Sequence, residues 1–350
     1  MYDAPQNFIN RDFSWLEFNR RVLAEAGNPD VPVLERLKFL AITAGNLDEF
    51  FMIRVAILHR LIASKSAYRG PDRIAPADVI DTLSTRIREF VADQYDALTT
   101  VLGELSGRGV RLVRPAGYSE QDHAFLAGWF HRELEPVLTP MAIDPGHPFP
   151  LLASCSTYIF LQVTPSQAVT ESNYASTETV FVQVPAAMPH FVALPALGDT
   201  NRRFALLDDI VSCFAERLLH GYTIAAAHPF RITRDADMTV DDEQAKNLLT
   251  AVEKELLTRR RGAPVRLEIG ADMPASMVEA LQKELSLSDR ETYRLPGLMS
   301  LKVLFQFEAL LPFDDLRNAP WPPCLHPELP PEQNIFQVIR KHDLMLHMPY

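Results

Sequence analysis

The sequence has few cysteines and no long apolar run. Its cysteines, Cys155, Cys213 and Cys324, lie far apart and form no CxxC pair, which argues against a disulfide framework and favours reduced thiols. No apolar stretch reaches the roughly 18 residues that would span a bilayer. The first residues also lack the basic and apolar pattern of a signal peptide. These absences predict a cytoplasmic protein with no transmembrane segment, and they leave peripheral membrane association open.

The common signatures of nucleotide and hydrolase chemistry are missing as well. The sequence contains no GxxxxGK[ST] loop, no GxGxxG turn, no HExxH helix and no GxSxG elbow. A nucleotide would therefore have to be bound by another route. The net charge of −11 disfavours nucleic acid as a partner, and any polyanion would need a locally basic pocket. The chain of 350 residues is long enough for about two domains without disulfides or metals.

Two kinds of hydrophobic pattern divide the chain. Up to about residue 108, apolar residues recur at spacings of three and four, which predicts an N-terminal bundle of about four helices. Beyond residue 108, short β-branched and aromatic runs alternate with helical patterns, which predicts an α+β domain. The expected strands are 110–113, 158–163, 180–184, 230–233 and 265–269, and the expected helices are 119–135, 208–219, 241–260 and 274–286.

Two segments of the second half are expected to lie outside regular structure. Residues 164–179 are rich in polar side chains and predict an exposed loop. Residues 318–332 contain six prolines, which predict an extended linker because proline fixes φ and lacks the backbone donor. A short helix-then-strand pattern follows in 335–350.

The most informative polar segment surrounds Asn46. In a structural interpretation, Gly45 ends one helix, Asn46 caps the next, and Glu49 completes a capping box. In a functional interpretation, the Asn46 amide hydrogen-bonds a base or ribose at the start of that helix. Asp48 and Glu49 would weaken anion binding there, so a neutral nucleoside contact fits this segment better than a phosphate does.

Asp144 and His147 form a second candidate site, within a segment made rigid by Pro140, Pro145, Pro148 and Pro150. They could be metal ligands or an acid/base pair, but hydrogen bonds to the local backbone in a tight turn explain them more simply. A third ligand of suitable spacing is missing, so a metal site has weak support.

Two groups of arginines remain. Arg259-Arg260-Arg261 ends a predicted helix, where cations are favoured, and it fits either a solvated terminus or a polyanion contact. Arg231 lies in the predicted strand 230–233 and Arg234 directly follows it; these two arginines either face a partner or pair with Asp235 and Asp237.

Several blocks of the sequence, in order along the chain, resemble bacterial polyphosphate kinases of the histidine-phosphorylated family. This collinearity spans nearly the whole chain. One block departs mildly, since Gly297-Leu298-Met299-Ser300-Leu301 stands where the family has glycine-proline-leucine-asparagine-leucine. The blocks are Asn10 to Leu23, Pro32 to Ile42, Asn46 to Val55, Leu138 to Pro140, Asp144 to Pro150, Phe230 to Asp237, Val265 to Glu268 and Ile339 to Tyr350.

The resemblance implies an enzyme that transfers the terminal phosphate of ATP to polyphosphate, reversibly, through a phosphohistidine and with magnesium. It assigns an ATP contact to Asn46. It also implies that the catalytic histidine and the magnesium-binding residues lie beyond the block that contains His347. No catalytic and no metal-binding residue is therefore assigned within these 350 residues, and the chain by itself is expected to be inactive.

The resemblance also implies the domain organisation. Residues 1–108 would form the N-terminal helical domain, 109–317 an α+β head used for dimerisation, and 318–350 a linker and the start of a phospholipase-D-like catalytic domain. The expected partners are ATP or ADP, polyphosphate and further copies of the chain in a dimer or tetramer. The alternative is a non-catalytic module that dimerises and acts as a scaffold.

Overall fold

The computed structural model describes residues 4–346 except 144–148, 166–178, 198–200, 237–261, 323, 325 and 331. The described part consists of an N-terminal helical layer followed by a mixed α/β region with two sheets. The predicted order, a helical part and then a region of strands and helices, is confirmed.

Four helices form the described part of the N-terminal layer, as the spacing of the apolar residues predicts. Asn10 begins the first helix, since its side chain accepts hydrogen bonds from the backbone N–H groups of Asp12 and Phe13. Pro76 lies in the first turn of the last helix, where its missing N–H removes no helical hydrogen bond. The helices are α1 (Arg11–Gly27), α2 (Val33–Glu49), α3 (Ala56–Ala63) and α4 (Pro76–Gly107).

The predicted helix break at Gly45 is wrong. α2 continues through Gly45 and Asn46 to Glu49, so Asn46 is not an N-cap and Glu49 completes no capping box. A π-helical turn, Phe50–Val55, then leads directly into α3. Buried side chains such as Leu47 hold this stretch against its neighbours, and their burial outweighs the roughly 1 kcal/mol that one glycine costs within a helix.

Two sheets form the second region. Their strands are β1 (Val110–Val113), β2 (Pro140–Ile143), β3 (Thr157–Pro165), β4 (Thr179–Gln183), β5 (Phe191–Ala193), β6 (Arg202–Leu206), β7 (Tyr222–Arg234), β8 (Pro264–Gly270) and β9 (Thr292–Leu295). The larger sheet has the order β2-β4-β3-β7-β8-β9 and is antiparallel except for the pair β8 and β9. The smaller sheet has the order β1-β6-β5, with β1 parallel to β6. The five strands predicted between residues 110 and 269 are confirmed, whereas the short strands β2, β5, β6 and β9 were missed.

The remaining helices connect or cover these sheets. The parallel pair β8 and β9 needs a crossover connection, and a helix between the two strands supplies it. The described residues of the proline-rich segment contain no helix or strand, and residues 340–346 do not form the predicted strand. The predicted helix 241–260 and most of the predicted loop 164–179 lie outside the described residues. The helices are α5 (Glu120–Trp129), α6 (Leu207–Phe214), α7 (Ala275–Leu285), α8 (Leu304–Ala309) and α9 (Ile335–Ile339).

The largest cluster of buried side chains crosses residue 108, where the sequence predicts a domain boundary. It joins side chains of α1, α2 and α4 to Val265 of β8, Tyr293 of β9 and Phe307 of α8. The helical layer thus shares one hydrophobic core with part of the sheet region. The end of α2 lies at this junction, and it carries the segment around Asn46.

Candidate functional site

Asn46 lies on a partly exposed side of α2 and is joined to α1 by a short chain of amide hydrogen bonds. Its Nδ2 donates to Oδ1 of Asn19 at 3.0 Å, and Nδ2 of Asn19 donates to the carbonyl oxygen of Thr43 at 3.2 Å. Asn19 is fully buried. Oδ1 of Asn46 accepts no hydrogen bond from the described residues. The amide is therefore held in place with an acceptor available for a further partner.

Exposed apolar side chains lie one and two helical turns from Asn46 in sequence, and next to its partner Asn19 on α1. Ile42, one turn before Asn46 on α2, is 38% exposed, and Ile53 in the π-helical turn is 43% exposed. Phe18, the neighbour of Asn19 on α1, is 48% exposed. An amide beside exposed apolar groups suits a flat ligand that has an apolar face and a polar edge.

Two residues further along α2, the carboxylate of Asp48 points into the protein. Arg231 of β7 binds it in a bidentate manner, with Nη1 to Oδ1 at 3.0 Å and Nη2 to Oδ2 at 2.5 Å. The same Nη1 donates to Oε2 of Glu268 on β8 at 2.5 Å. Arg266 of β8 also donates to Oδ1 of Asp48, and its Nη2 lies 3.3 Å from Oε2 of Glu268. We call these four residues the Asp48 cluster.

The Asp48 cluster is nearly closed to solvent, and its charges balance. Arg231 and Arg266 are 3% and 2% exposed, and two cations face two carboxylates. Burial by itself would raise the pKa of Asp48, but the guanidinium groups of Arg231 and Arg266 outweigh it and lower this pKa to about 2. Burial by itself would lower the pKa of Arg231, but Glu268 and Asp48 raise it well above its ordinary value. All the charges of the pair Asp48 and Arg231 are thus retained at neutral pH.

Further contacts fix Arg266 within the Asp48 cluster. Its Nη2 and Nε donate to Oγ1 of Thr233 at 2.8 and 3.1 Å. Its guanidinium carbon lies 4.5 Å from the ring centroid of Phe51, which gives a buried cation–π contact. The neighbouring Phe50 stacks on Trp15 of α1 with 4.2 Å between ring centroids. The segment from Asn46 into the π-helical turn therefore contacts α1 on one side and the larger sheet on the other.

A cleft of about 550 Å³ opens beside the Asp48 cluster, between α2 and the sheet region. Burial lowers the pKa of His190, because desolvation disfavours the charged imidazolium. Asn46 does not line this cleft, although Gly45 and Glu49 do. Besides Asp48 and Arg231, the polar side chains along the cleft are Glu49, Ser154, Ser156, Thr157, His190, Ser300, Lys302 and Gln306.

The prediction that Arg231 and Arg234 pair with neighbouring aspartates is wrong for the described residues. Arg231 binds Asp48 and Glu268, and Arg234 donates from Nε to the carbonyl oxygen of Leu152 at 2.8 Å. Asp235 instead pairs with Arg60 of α3 at 3.0 Å.

The Asp48 cluster was not recognised in the sequence. The available signal was a pair of opposite charges at alternate positions of an apolar strand, in Val265-Arg266-Leu267-Glu268-Ile269. Such charges are rarely buried in a strand unless they are paired. Their partner on α2 is far away in sequence, so the pattern alone could not identify Asp48.

Several predicted residues lie outside the described part of the chain. They are Asp144, His147, Asp237, Arg259, Arg260, Arg261 and His347. Among the described residues, no three His, Cys, Asp or Glu side chains converge in a way that could hold a metal ion. No helix in the described ranges is both long and apolar enough to cross a membrane.

A second group of shielded carboxylates lies at the start of α6. Oδ2 of Asp209 is 3.0 Å from Nε of Arg114, whereas Oδ1 of Asp208 is closed to solvent and accepts no hydrogen bond from the described residues. Burial raises the pKa of Asp208 to about 7, and the neighbouring Asp209 adds to this effect. Burial also raises the pKa of Asp209 to about 6, against the opposing effect of Arg114.

The fold and the candidate site together define a mixed α/β protein in which a helical layer is joined to a sheet by buried charges and presents an amide on an apolar surface. Two family profiles match this chain. Residues 8–113 match the polyphosphate kinase N-terminal domain, and residues 121–307 match the polyphosphate kinase middle domain. The chain belongs to the polyphosphate kinase family.

Individual relatives agree with this assignment. The chain is 37% identical over 348 residues to a polyphosphate kinase of Mycolicibacterium gilvum and 34% identical over 352 residues to one of Exiguobacterium sibiricum. These matches cover 98% and 99% of this chain but only 47% and 48% of the relatives. The crystal structure of polyphosphate kinase from Porphyromonas gingivalis matches with a TM-score of 0.74 at 26% identity, over 98% of this chain and 47% of that one. The chain thus spans about half the length of the relatives it matches.

Proposed function

We propose that this chain supplies one wall of the ATP pocket of a polyphosphate kinase, with Asn46 as the residue that contacts the nucleotide. The enzyme would transfer the terminal phosphate of ATP to polyphosphate, reversibly, through a phosphohistidine. The observation that carries the proposal is the Asn46 amide, held by Asn19 on a partly exposed apolar surface with its Oδ1 available.

The surroundings of Asn46 favour the neutral part of the nucleotide. A carboxamide offers both a donor and an acceptor, so it can hydrogen-bond the edge of a base or a ribose hydroxyl. Ile42 and Ile53 offer apolar surface to the face of a base. Asp48 is neutralised by its arginines, whereas Glu49 is exposed and would repel a phosphate placed beside it. The phosphates would therefore extend away from α2.

We further propose the domain organisation that the resemblance implies. Residues 1–108 would act as the helical domain, 109–317 as the head through which copies dimerise, and 318–350 as a linker and the start of a phospholipase-D-like domain. The phosphohistidine and the magnesium ligands would lie outside these residues, so no step is assigned to either here. The 350-residue polypeptide would make no polyphosphate from ATP, and chain growth in an assay of the purified polypeptide would contradict this.

The contact at Asn46 is tested by titrating ATP into the 350-residue chain and into its Asn46→Ala variant. Loss of one hydrogen bond to a neutral group should weaken binding by about three- to tenfold. The matched control is Asn28→Ala, because Asn28 is also a partly exposed asparagine of the helical layer. Asn28 lies about 13 Å from Asn19, measured along the axis of α1 toward its C-terminal end. Equal dissociation constants for the parent and Asn46→Ala would overturn the proposal.

A further inference from the structure

The contacts of α2 change character within one turn of Asn46. Asn46 itself touches α1 through a single hydrogen bond of 3.0 Å to Asn19. Asp48, two residues later, makes the strongest set of contacts in this stretch, with charged donors from two strands of the larger sheet. Because a helix is stiff over one turn, a restraint at Asp48 also restrains the position of Asn46.

The contacts within the Asp48 cluster depend on the orientation of the side chains as well as on their charges. The planar guanidinium of Arg231 binds both oxygens of Asp48, which fixes the rotation of the carboxylate and not only its distance. Arg266 approaches the same carboxylate while it is held by Thr233 and by the ring of Phe51. The sheet therefore constrains the rotation of the C-terminal end of α2 about its own axis.

Stability alone is a weak explanation for this arrangement. Replacing a buried ion pair with well-packed apolar residues is often neutral or stabilising, so burying four charges is an expensive way to join a helix to a sheet. Directional contacts of this kind are better suited to holding one geometry. The geometry that needs to be held at this point of α2 is that of the partly exposed Asn46 amide.

We propose that Asp48 is a positioning residue for the nucleotide contact: through Arg231 and Arg266 it sets the rotation of α2 and so aims the Asn46 amide at the nucleotide. This inference rests on the proposed function of Asn46. It adds that the larger sheet, through Arg231 of β7 and Arg266 of β8, takes part in nucleotide binding without touching the ligand.

The test compares Asp48→Asn with a matched buried pair elsewhere in the chain. Asp122 is fully buried and is bound by Arg203 through Nη1 at 3.0 Å and Nη2 at 2.5 Å. Asp122→Asn thus removes the same kind of charge from the same kind of bidentate pair, away from α2. ATP dissociation constants are measured for both variants of the 350-residue chain. The NMR signals of the Asn46 side-chain amide, assigned by their loss in Asn46→Ala, provide a readout that does not require ATP.

We expect both Asp48→Asn and Asp122→Asn to lower the midpoint of unfolding, because each removes a buried carboxylate charge that balances an arginine. Only Asp48→Asn should shift the Asn46 amide signals and weaken ATP binding, by as much as Asn46→Ala does and so up to about tenfold. If Asp48→Asn does not fold, Arg266→Lys replaces it, since lysine keeps the charge but cannot bind Thr233 and Asp48 as a fork.

The outcomes separate the two proposals. If Asn46→Ala leaves ATP binding unchanged, or if the parent chain does not bind ATP, the proposed function fails and this inference fails with it. If Asn46→Ala weakens binding while the Asp48 cluster variant binds like the parent, only the positioning role is overturned. Equal weakening by Asp122→Asn would also overturn it, because the effect would then be one of general stability.

Discussion

Asp48 and Asp208 are both shielded aspartates, and the protein treats them in opposite ways. Asp48 faces two guanidinium groups, and the pKa of its carboxyl falls to about 2. Asp208 has no arginine bound to its own carboxylate, its Oδ1 is orphaned and Asp209 is its neighbour, so the pKa of its carboxyl rises to about 7. The difference shows that burial alone does not decide the charge of a side chain. The partners supplied by other elements decide it.

The largest change in the free energy of unfolding is expected when the carboxylate of Asp48, which two arginines neutralise, is removed. Asp48→Ala leaves Arg231 and Arg266 with only Glu268 as a charged partner inside the protein. We expect the free energy of unfolding to fall by about 3–5 kcal/mol, since an unpaired buried charge is very costly. Urea unfolding followed by circular dichroism measures it. A loss below about 1 kcal/mol would show that the cluster is hydrated and not buried.

Removing the charge of Asp208 should instead raise the free energy of unfolding. Asp208→Asn removes a carboxylate that is poorly solvated at neutral pH, so we expect the free energy of unfolding at pH 8 to rise, on the order of 1–2 kcal/mol. Asp315→Asn serves as a control, because Asp315 is exposed. Destabilisation by Asp208→Asn at pH 8 would contradict the raised pKa.

The pH dependence of the free energy of unfolding should also distinguish Asp48 from Asp208. The pKa of Asp208 is about 7 in the folded protein and near 3.8 in the unfolded chain, so the folded state binds more protons between these values and stability falls as pH rises from about 4 to 7. Asp48 has its folded pKa at about 2, so its contribution is present above about 4 and is lost as pH falls toward 2. Unfolding measured from pH 2 to 8 should show Asp208→Asn flattening the slope above pH 4. If the slope above pH 4 is the same in Asp208→Asn as in the parent, Asp208 is not the group that causes it.

The smallest effect is expected at an ion pair in water. Arg108 and Asp315 contact each other, but their side chains are 48% and 61% exposed. Arg108→Ala should change the free energy of unfolding by less than about 1 kcal/mol, and by less still in high salt. A loss that approaches that of Asp48→Ala would mean that burial does not separate these two kinds of ion pair.

Much of the fold could be predicted because its signals are local. The apolar spacing of three and four predicts α1 to α4, and the run Val265-Arg266-Leu267-Glu268-Ile269 predicts β8. β5 was missed because a strand of three residues leaves too few positions for a pattern to be distinguished. The break at Gly45 was predicted from the local preference of glycine, and the packing of Leu47 and Phe50 overrode it.

The candidate site was predictable only in part. The motif drew attention to Asn46, and that residue stays a prediction as a nucleotide contact. The same motif suggested a helix start capped by Asn46 with Glu49 in a capping box, whereas α2 continues past both residues and Asp48 is a buried partner of Arg231 and Arg266. These partners follow it by more than 180 residues, and no local pattern joins them.

By itself, the sequence determined which segments become helices and strands, because backbone preference and apolar periodicity act over a few neighbouring residues. It also carried the family, through motifs in a fixed order. Only the tertiary structure decided which charges are buried together, since Coulomb attraction between Asp48 and its arginines acts across space and appears only after the sheet has brought β7 and β8 against α2.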